Sequence, residues 1–238
     1  MTLKNTRVLV IGGTSGIGLA VATAAAERGA LPIVVSRRPA SVERALAQLP
    51  TGARGFTVDL TDSADLDRLA ADVGEIDHLV FTAGESLELG PLADLTVDAI
   101  NAFIQTRFVG ALSAVRVFAS RIRAGGSITL TSGSAAETPS FGALPVALCG
   151  TMNALTTALA FELAPIRVNA VAPGVIRTPL WDAMVEADRQ ALYDDAAQTL
   201  PVGRVGEAAD AALSYLYCME QTYGTGAVIK VDGGGVLI

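Results

Sequence analysis

The first residues arranged for chemistry are Gly12-Gly13-Thr14-Ser15-Gly16-Ile17-Gly18, which follow the apolar run Val8 to Ile11 directly. They lead into an alanine-rich stretch, Gly16 to Arg28, whose apolar residues recur at three- and four-residue spacing. Glycines at such a junction permit a tight turn and let the backbone approach a pyrophosphate. The N–H groups at the start of the following helix supply a partial positive charge. Strand, loop, helix and second strand come in the order that dinucleotide binding requires, so Gly12, Thr14, Ser15, Gly16, Ile17 and Gly18 form the expected phosphate cradle. The alternative is a glycine-rich turn with no ligand. The second strand ends Val35-Ser36-Arg37-Arg38. A carboxylate at that place would select NAD through the ribose hydroxyl, and none is present. Two guanidiniums instead suit a 2′-phosphate, so Ser36, Arg37 and Arg38 point to NADP(H). Otherwise the two arginines are solvated loop charges.

A second polar cluster, Leu130-Thr131-Ser132-Gly133-Ser134, ends another β-branched run. Proton-transfer residues are scarce. The chain has one histidine, His78, and two lysines, Lys4 and Lys230, at its extremes. All four tyrosines, Tyr193, Tyr215, Tyr217 and Tyr223, lie beyond Thr178. One histidine and two distant cysteines, Cys149 and Cys218, give no metal knuckle and no disulfide framework, so no metal site is expected.

These residues need a scaffold that brings strand ends together. Short β-branched runs at Val8 to Ile11, Pro32 to Ser36, Gly55 to Val58, His78 to Phe81, Ser127 to Thr131, Arg167 to Val171 and Ala227 to Val231 alternate with helical patterns, including Asp94 to Arg121. The 238 residues, 51% hydrophobic and 17% charged, suffice for one large domain. The alternation predicts an α/β Rossmann-like, doubly wound sheet of seven mostly parallel strands with helices on both faces. In such a sheet the ligand crevice lies beyond the carboxyl ends of the strands. The irregular stretch 178–204, with Pro179, Trp181, Tyr193 and Pro201, is placed to act as a lid over substrate, or else is a surface helix pair. A net charge of −7 argues against binding nucleic acid. The N-terminal residues lack a charged-then-apolar leader, which predicts a cytoplasmic protein. The uncharged stretch Thr138 to Phe161 is broken by prolines and glycines, so the expectation is a helix buried on most sides and in a subunit interface rather than a membrane span.

From end to end the chain resembles the short-chain dehydrogenase/reductase family. Gly12, Gly16 and Gly18 match the family's glycine spacing, with Ile11 where a threonine is usual. Val58-Asp59-Leu60 looks like the segment whose aspartate caps the adenine, and Thr82-Ala83-Gly84 is similar to Asn-Asn-Ala-Gly with the asparagines lost. Glu162 to Ala170 and Pro173-Gly174-Val175-Ile176-Arg177-Thr178-Pro179 are close matches, as is Val231-Asp232-Gly233-Gly234. The resemblance implies that Asp59, Leu60, Thr82, Ala83, Gly84 and Thr131 border the cofactor, with Pro173, Gly174, Val175, Ile176 and Thr178 beside the nicotinamide. It also implies a small-molecule substrate and a homodimer or homotetramer.

The family's reaction centre combines Asn, Ser, Tyr and Lys, in which Tyr exchanges a proton and Lys lowers its pKa. Counting back from Glu162, the Tyr position holds Pro145 and the Lys position Cys149; the Asn position is Arg107. No shift of register supplies a lysine, because none lies between residues 4 and 230. Of the four, a serine remains: Ser132 by spacing, with Ser134 as near alternative. Arg107 is the second candidate catalytic residue, able to bind a carboxylate or a developing oxyanion, or to pair with Glu85 or Glu88. Tyr193 either closes onto substrate with the lid or packs within it. Three functions fit: an NADP(H)-dependent oxidoreductase with altered proton delivery, a non-catalytic NADP(H)-binding protein, and a non-redox lyase or isomerase.

Overall fold

Among the described residues nine strands alternate with helices: β1 (Arg7–Ile11), β2 (Leu31–Ser36), β3 (Arg54–Thr57), β4 (Ile76–Phe81), β5 (Ile122–Thr131), β6 (Arg167–Pro173), β7 (Ile176–Arg177), β8 (Gly206–Glu207) and β9 (Val228–Val231). The computed structural model describes residues 2–84 and 92–238. Seven strands make one sheet in the order β3-β2-β1-β4-β5-β6-β9, and β7 pairs with β8 in a small separate ribbon. The expected seven strands are all present. Every ladder is parallel rather than most of them. The ribbon was not foreseen, since two residues are too few to show a period.

Parallel strands buried on both faces explain the near-continuous apolar runs. In β1, Leu9 and Ile11 point into a core cluster with Leu66, Leu79, Phe118 and Ile128. Their neighbours Val8 and Val10 point the other way, against Val21, Val34, Tyr215 and Leu216. The helices are α1 (Gly16–Glu27), α2 (Pro39–Leu46), α3 (Ser63–Val73), α4 (Val97–Ile104), α5 (Gly110–Phe118), α6 (Ala143–Glu162), α7 (Glu186–Thr199) and α8 (Ala208–Glu220). Residues of α3, α5 and α6 fill the first cluster, and residues of α1 and α8 the second. The order of strands reverses between β1 and β4, which opens a crevice at their carboxyl ends.

The helical pattern from Asp94 to Arg121 holds one feature that the spacing does not show: Thr96 caps α4 through its hydroxyl, and a π-helical turn at Gln105–Val109 carries the helix from α4 on into α5. Apolar periodicity runs on through the π turn, so spacing alone reads it as continuous. The helix expected from the uncharged stretch 138–161 is α6, charged only at its last residue, Glu162. It buries one face, through Pro145, Leu148, Met152, Thr156, Leu159 and Ala160, while Phe161 is 89% exposed. Pro145, third in α6, lies within the first turn, where a missing N–H costs nothing. Both α6 and the Val97–Arg121 stretch are long and apolar enough to cross a membrane, yet each lies as one layer of the sheet packing.

Candidate cofactor and active site

A cleft of about 960 Å³ runs along the carboxyl ends of β1 to β6. Every expected cofactor residue except Val175 lines it, as do Ser132, Ser134 and Arg107. Val175 instead packs with Trp181, Tyr193, Ala196 and Val205 in a small cluster of its own.

The glycine loop is built to bring backbone close. Gly12 has φ +87, and a Cβ there would lie 2.5 Å from the Ala83 nitrogen. A Cβ on Gly18 would lie 2.2 Å from the Gly12 carbonyl oxygen, so α1 can approach the loop only through a residue without a side chain. Ser15 occupies the N-cap position of α1 without bonding the helix start, and the first turn carries no acidic residue. The N–H groups of that turn therefore remain for an anion in the cleft. At the end of β2, Ser36, Arg37 and Arg38 line the same cleft. Across from them, Asp59 Oδ1 accepts hydrogen bonds from the Thr61 nitrogen (2.9 Å) and hydroxyl (2.7 Å). These bonds, backbone first, hold the Asp59 carboxyl below its usual range, with help from the charge of Arg37. The residues present thus fit a phosphorylated dinucleotide: a bare helix start for the pyrophosphate, two arginines for a terminal phosphate, and an ionised aspartate for the adenine amino group.

At the other end, Ser132 Oγ faces two acceptors, the Cys149 carbonyl oxygen at 3.0 Å and Asn153 Oδ1 at 2.6 Å. Both belong to α6. Thr131 Oγ1 donates to the Phe81 carbonyl oxygen and lies 2.6 Å from the Tyr215 hydroxyl, which reaches it from α8 behind the sheet. Tyr215 is fully buried, and desolvation drives its pKa far up, so it holds the end of β5 and does not exchange protons. Arg107 lies in the π turn, where Gln105, Thr106 and Arg107 all reach the cleft. Its guanidinium stacks on the Phe103 ring at 4.2 Å. The suggested pairing with Glu85 or Glu88 falls outside the described residues. Cys149 lines the cleft, and burial pushes its thiol up against a weaker opposing effect of Arg107. Tyr193 does not line this cleft; it is buried in the same small cluster as Val175, with Arg177 over its ring at 4.2 Å. Asn153, Tyr215 and Phe103 belong to no motif legible in the sequence, because their partners are set by three-dimensional packing.

A sequence profile described as Enoyl-(Acyl carrier protein) reductase matches residues 12–235. The chain belongs to the short-chain dehydrogenase/reductases. Among the relatives of this dehydrogenase/reductase, the malC short-chain dehydrogenase/reductase of Malbranchea aurantiaca is 32% identical over 99% of the chain and 96% of that protein. The structure of the MalC reductase/Diels-Alderase from the same organism superposes with a TM-score of 0.91, at 31% identity, covering 100% of this chain and 98% of that one. A small-chain dehydrogenase solved in complex with NADPH superposes with a TM-score of 0.82, at 34% identity, covering 99% and 100%.

Proposed function

We propose that the chain is an NADP(H)-dependent reductase of a small carbonyl-containing compound, with Ser132 and Arg107 at the reacting end and the expected phosphate, ribose and nicotinamide residues around the cofactor. The observation that carries this reading is the junction of two sites in one cleft: the bare start of α1 and, at the end of β2, Arg37 and Arg38 where that strand end carries no carboxylate. The NADPH complex of a relative supports it. A bound reduced nicotinamide supplies hydride, so the protein's work is to orient and polarise the acceptor. Ser132 is fixed by α6, and Arg107 brings a positive charge that stays ionised throughout turnover. Loss of a general acid costs about 10²–10⁴ in rate, which leaves slow reduction within reach.

In this reading the chain is a single domain in which 178–204 forms a lid. The segment has its own apolar cluster, and the Val202 nitrogen ties it to the Gly233 carbonyl oxygen at 3.2 Å. The exposed apolar side of α6 fits a homodimer or homotetramer, and a cytoplasmic location suits an acidic protein of this family. A second reading, a lyase or isomerase reaction on Ser132 and Arg107, is favoured by the MalC relative, which is described with a Diels–Alderase activity beside its reductase one.

The test is a calorimetric isotherm with NADPH and with NADH, then NADPH absorbance with a carbonyl panel. Tighter binding of NADPH is expected, and removing both guanidiniums (Arg37→Ala, Arg38→Ala) should weaken it about 10- to 100-fold while leaving NADH unchanged. Preference for NADH refutes the assignment. NADPH binding without turnover favours the non-redox reading or a binding protein.

A further inference from the structure

We propose that the inner end of the cleft is a hydrogen-bond acceptor site: Ser132 takes a hydrogen from its ligand, and the small molecule held there is an apolar ring compound that bears an O–H or N–H group beside its reacting carbonyl. The inference rests on the reading of the chain as an NADP(H)-dependent reductase and narrows its substrate class.

The first support is the direction of the Ser132 hydroxyl. A hydroxyl has one hydrogen and two lone pairs. Ser132 Oγ lies 3.0 Å from the Cys149 carbonyl oxygen and 2.6 Å from Asn153 Oδ1, and both partners belong to α6. A carbonyl can only accept, so the hydrogen turns to α6 whichever way the Asn153 amide faces. Ser132 thus presents a lone pair to the cleft it lines. The second support is that neighbouring donors are set the same way. Thr131 Oγ1 donates to the Phe81 carbonyl oxygen, and Trp181 gives its indole N–H to the Ile176 carbonyl oxygen at 2.9 Å. Both residues line the cleft. The Cys149 thiol is kept neutral by burial and is a weak donor. Arg107 is engaged, with its face on the Phe103 ring. The third support is the wall. Phe141, Pro145, Leu148, Met152, Leu180 and Trp181 give this end an apolar lining, which suits a ring compound and keeps water from competing for the lone pair.

A ligand without a polar hydrogen leaves such an acceptor desolvated and unmet, and a site of this kind rejects it. A carbonyl oxygen set against Ser132 brings lone pair against lone pair. A hydroxyl or N–H group meets it, so Ser132 orients the substrate through that second group and leaves the carbonyl to face the hydride donor.

The test starts with the NADP⁺ isotherm and continues on the NADP⁺-saturated protein with three indanes, titrated by ligand-observed NMR: 5-hydroxyindane, which donates, and 5-methoxyindane and 1-indanone, which only accept. None of them gives hydride to NADP⁺. The phenol should bind about 3- to 10-fold more tightly than either acceptor, and Ser132→Ala should bring the three within about twofold of one another with the NADP⁺ isotherm intact. Ser134→Ala should leave the preference whole. An equal or reversed ranking, a preference that survives Ser132→Ala or is lost in Ser134→Ala, or no binding of any of the three at millimolar concentration overturns the inference alone. If Ser132→Ala does not fold, the wild-type ranking and the Ser134→Ala protein decide. Absence of NADP⁺ binding overturns the cofactor reading and this inference with it.

Discussion

Acidification from pH 7.5 to pH 5 should destabilise the fold through one residue. His78 on β4 is 3% exposed, and its Nδ1 lies 2.9 Å from Ser127 Oγ on β5. Burial lowers its pKa from 6.5 to about 4, with Arg167 adding a smaller push and Asp77 opposing. The unfolded chain therefore binds a proton below pH 6.5 that the folded chain refuses until near pH 4. Unfolding takes up a proton in that window, so stability falls as pH drops. The full difference is about 3 kcal/mol, of which about 2 kcal/mol is lost by pH 5. The Asp59 and Asp210 carboxyls, both lowered, titrate below this range and do not blur it. Urea midpoints at fixed protein concentration, at half-unit steps from pH 7.5 to 4.5, measure the slope, and His78→Gln should flatten it. A wild-type profile flat across that window, or a folded variant with the wild-type slope, refutes the reasoning.

Three further outcomes are expected. Tyr215→Phe removes the buried hydroxyl at Thr131 and should cost about 1–2 kcal/mol in thermal or urea unfolding, with NADPH affinity nearly intact. Gly18→Ala places a methyl group against the Gly12 carbonyl oxygen, so NADPH binding by calorimetry should fall below detection even where circular dichroism shows a folded chain. Arg177→Ala removes the cover of Tyr193 and the ion pair to Glu207, and should loosen the lid by about 0.5–1 kcal/mol, read as faster amide exchange in residues 186–199.

The strands and the glycine loop were legible because their causes are local: a buried parallel strand must be apolar on both sides, and a loop that meets backbone at 2.2–2.5 Å must be glycine. The absence of any lysine between residues 4 and 230 was legible through composition alone. What sequence did not show is how the surviving polar groups are tied. Ser132 meets Asn153, 21 positions away, and Thr131 meets Tyr215, 84 positions away, from opposite faces of the sheet. Such pairings depend on which helix lies over which strand end. The same holds for Val175, whose motif position suggests the cofactor while its side chain packs with Trp181 and Tyr193. The π turn at Arg107 escapes notice because it leaves the apolar rhythm unbroken.

Trp181 is the chain's single tryptophan; it is 3% exposed, donates its indole N–H to the Ile176 carbonyl oxygen at 2.9 Å, and forms part of the cleft wall. The protein therefore carries one indole fluorophore, placed where residues 178–204 meet the cleft. Its emission overlaps the absorption of a reduced nicotinamide, so energy transfer to an added nicotinamide cofactor can be recorded with no label and no subtraction of other tryptophans.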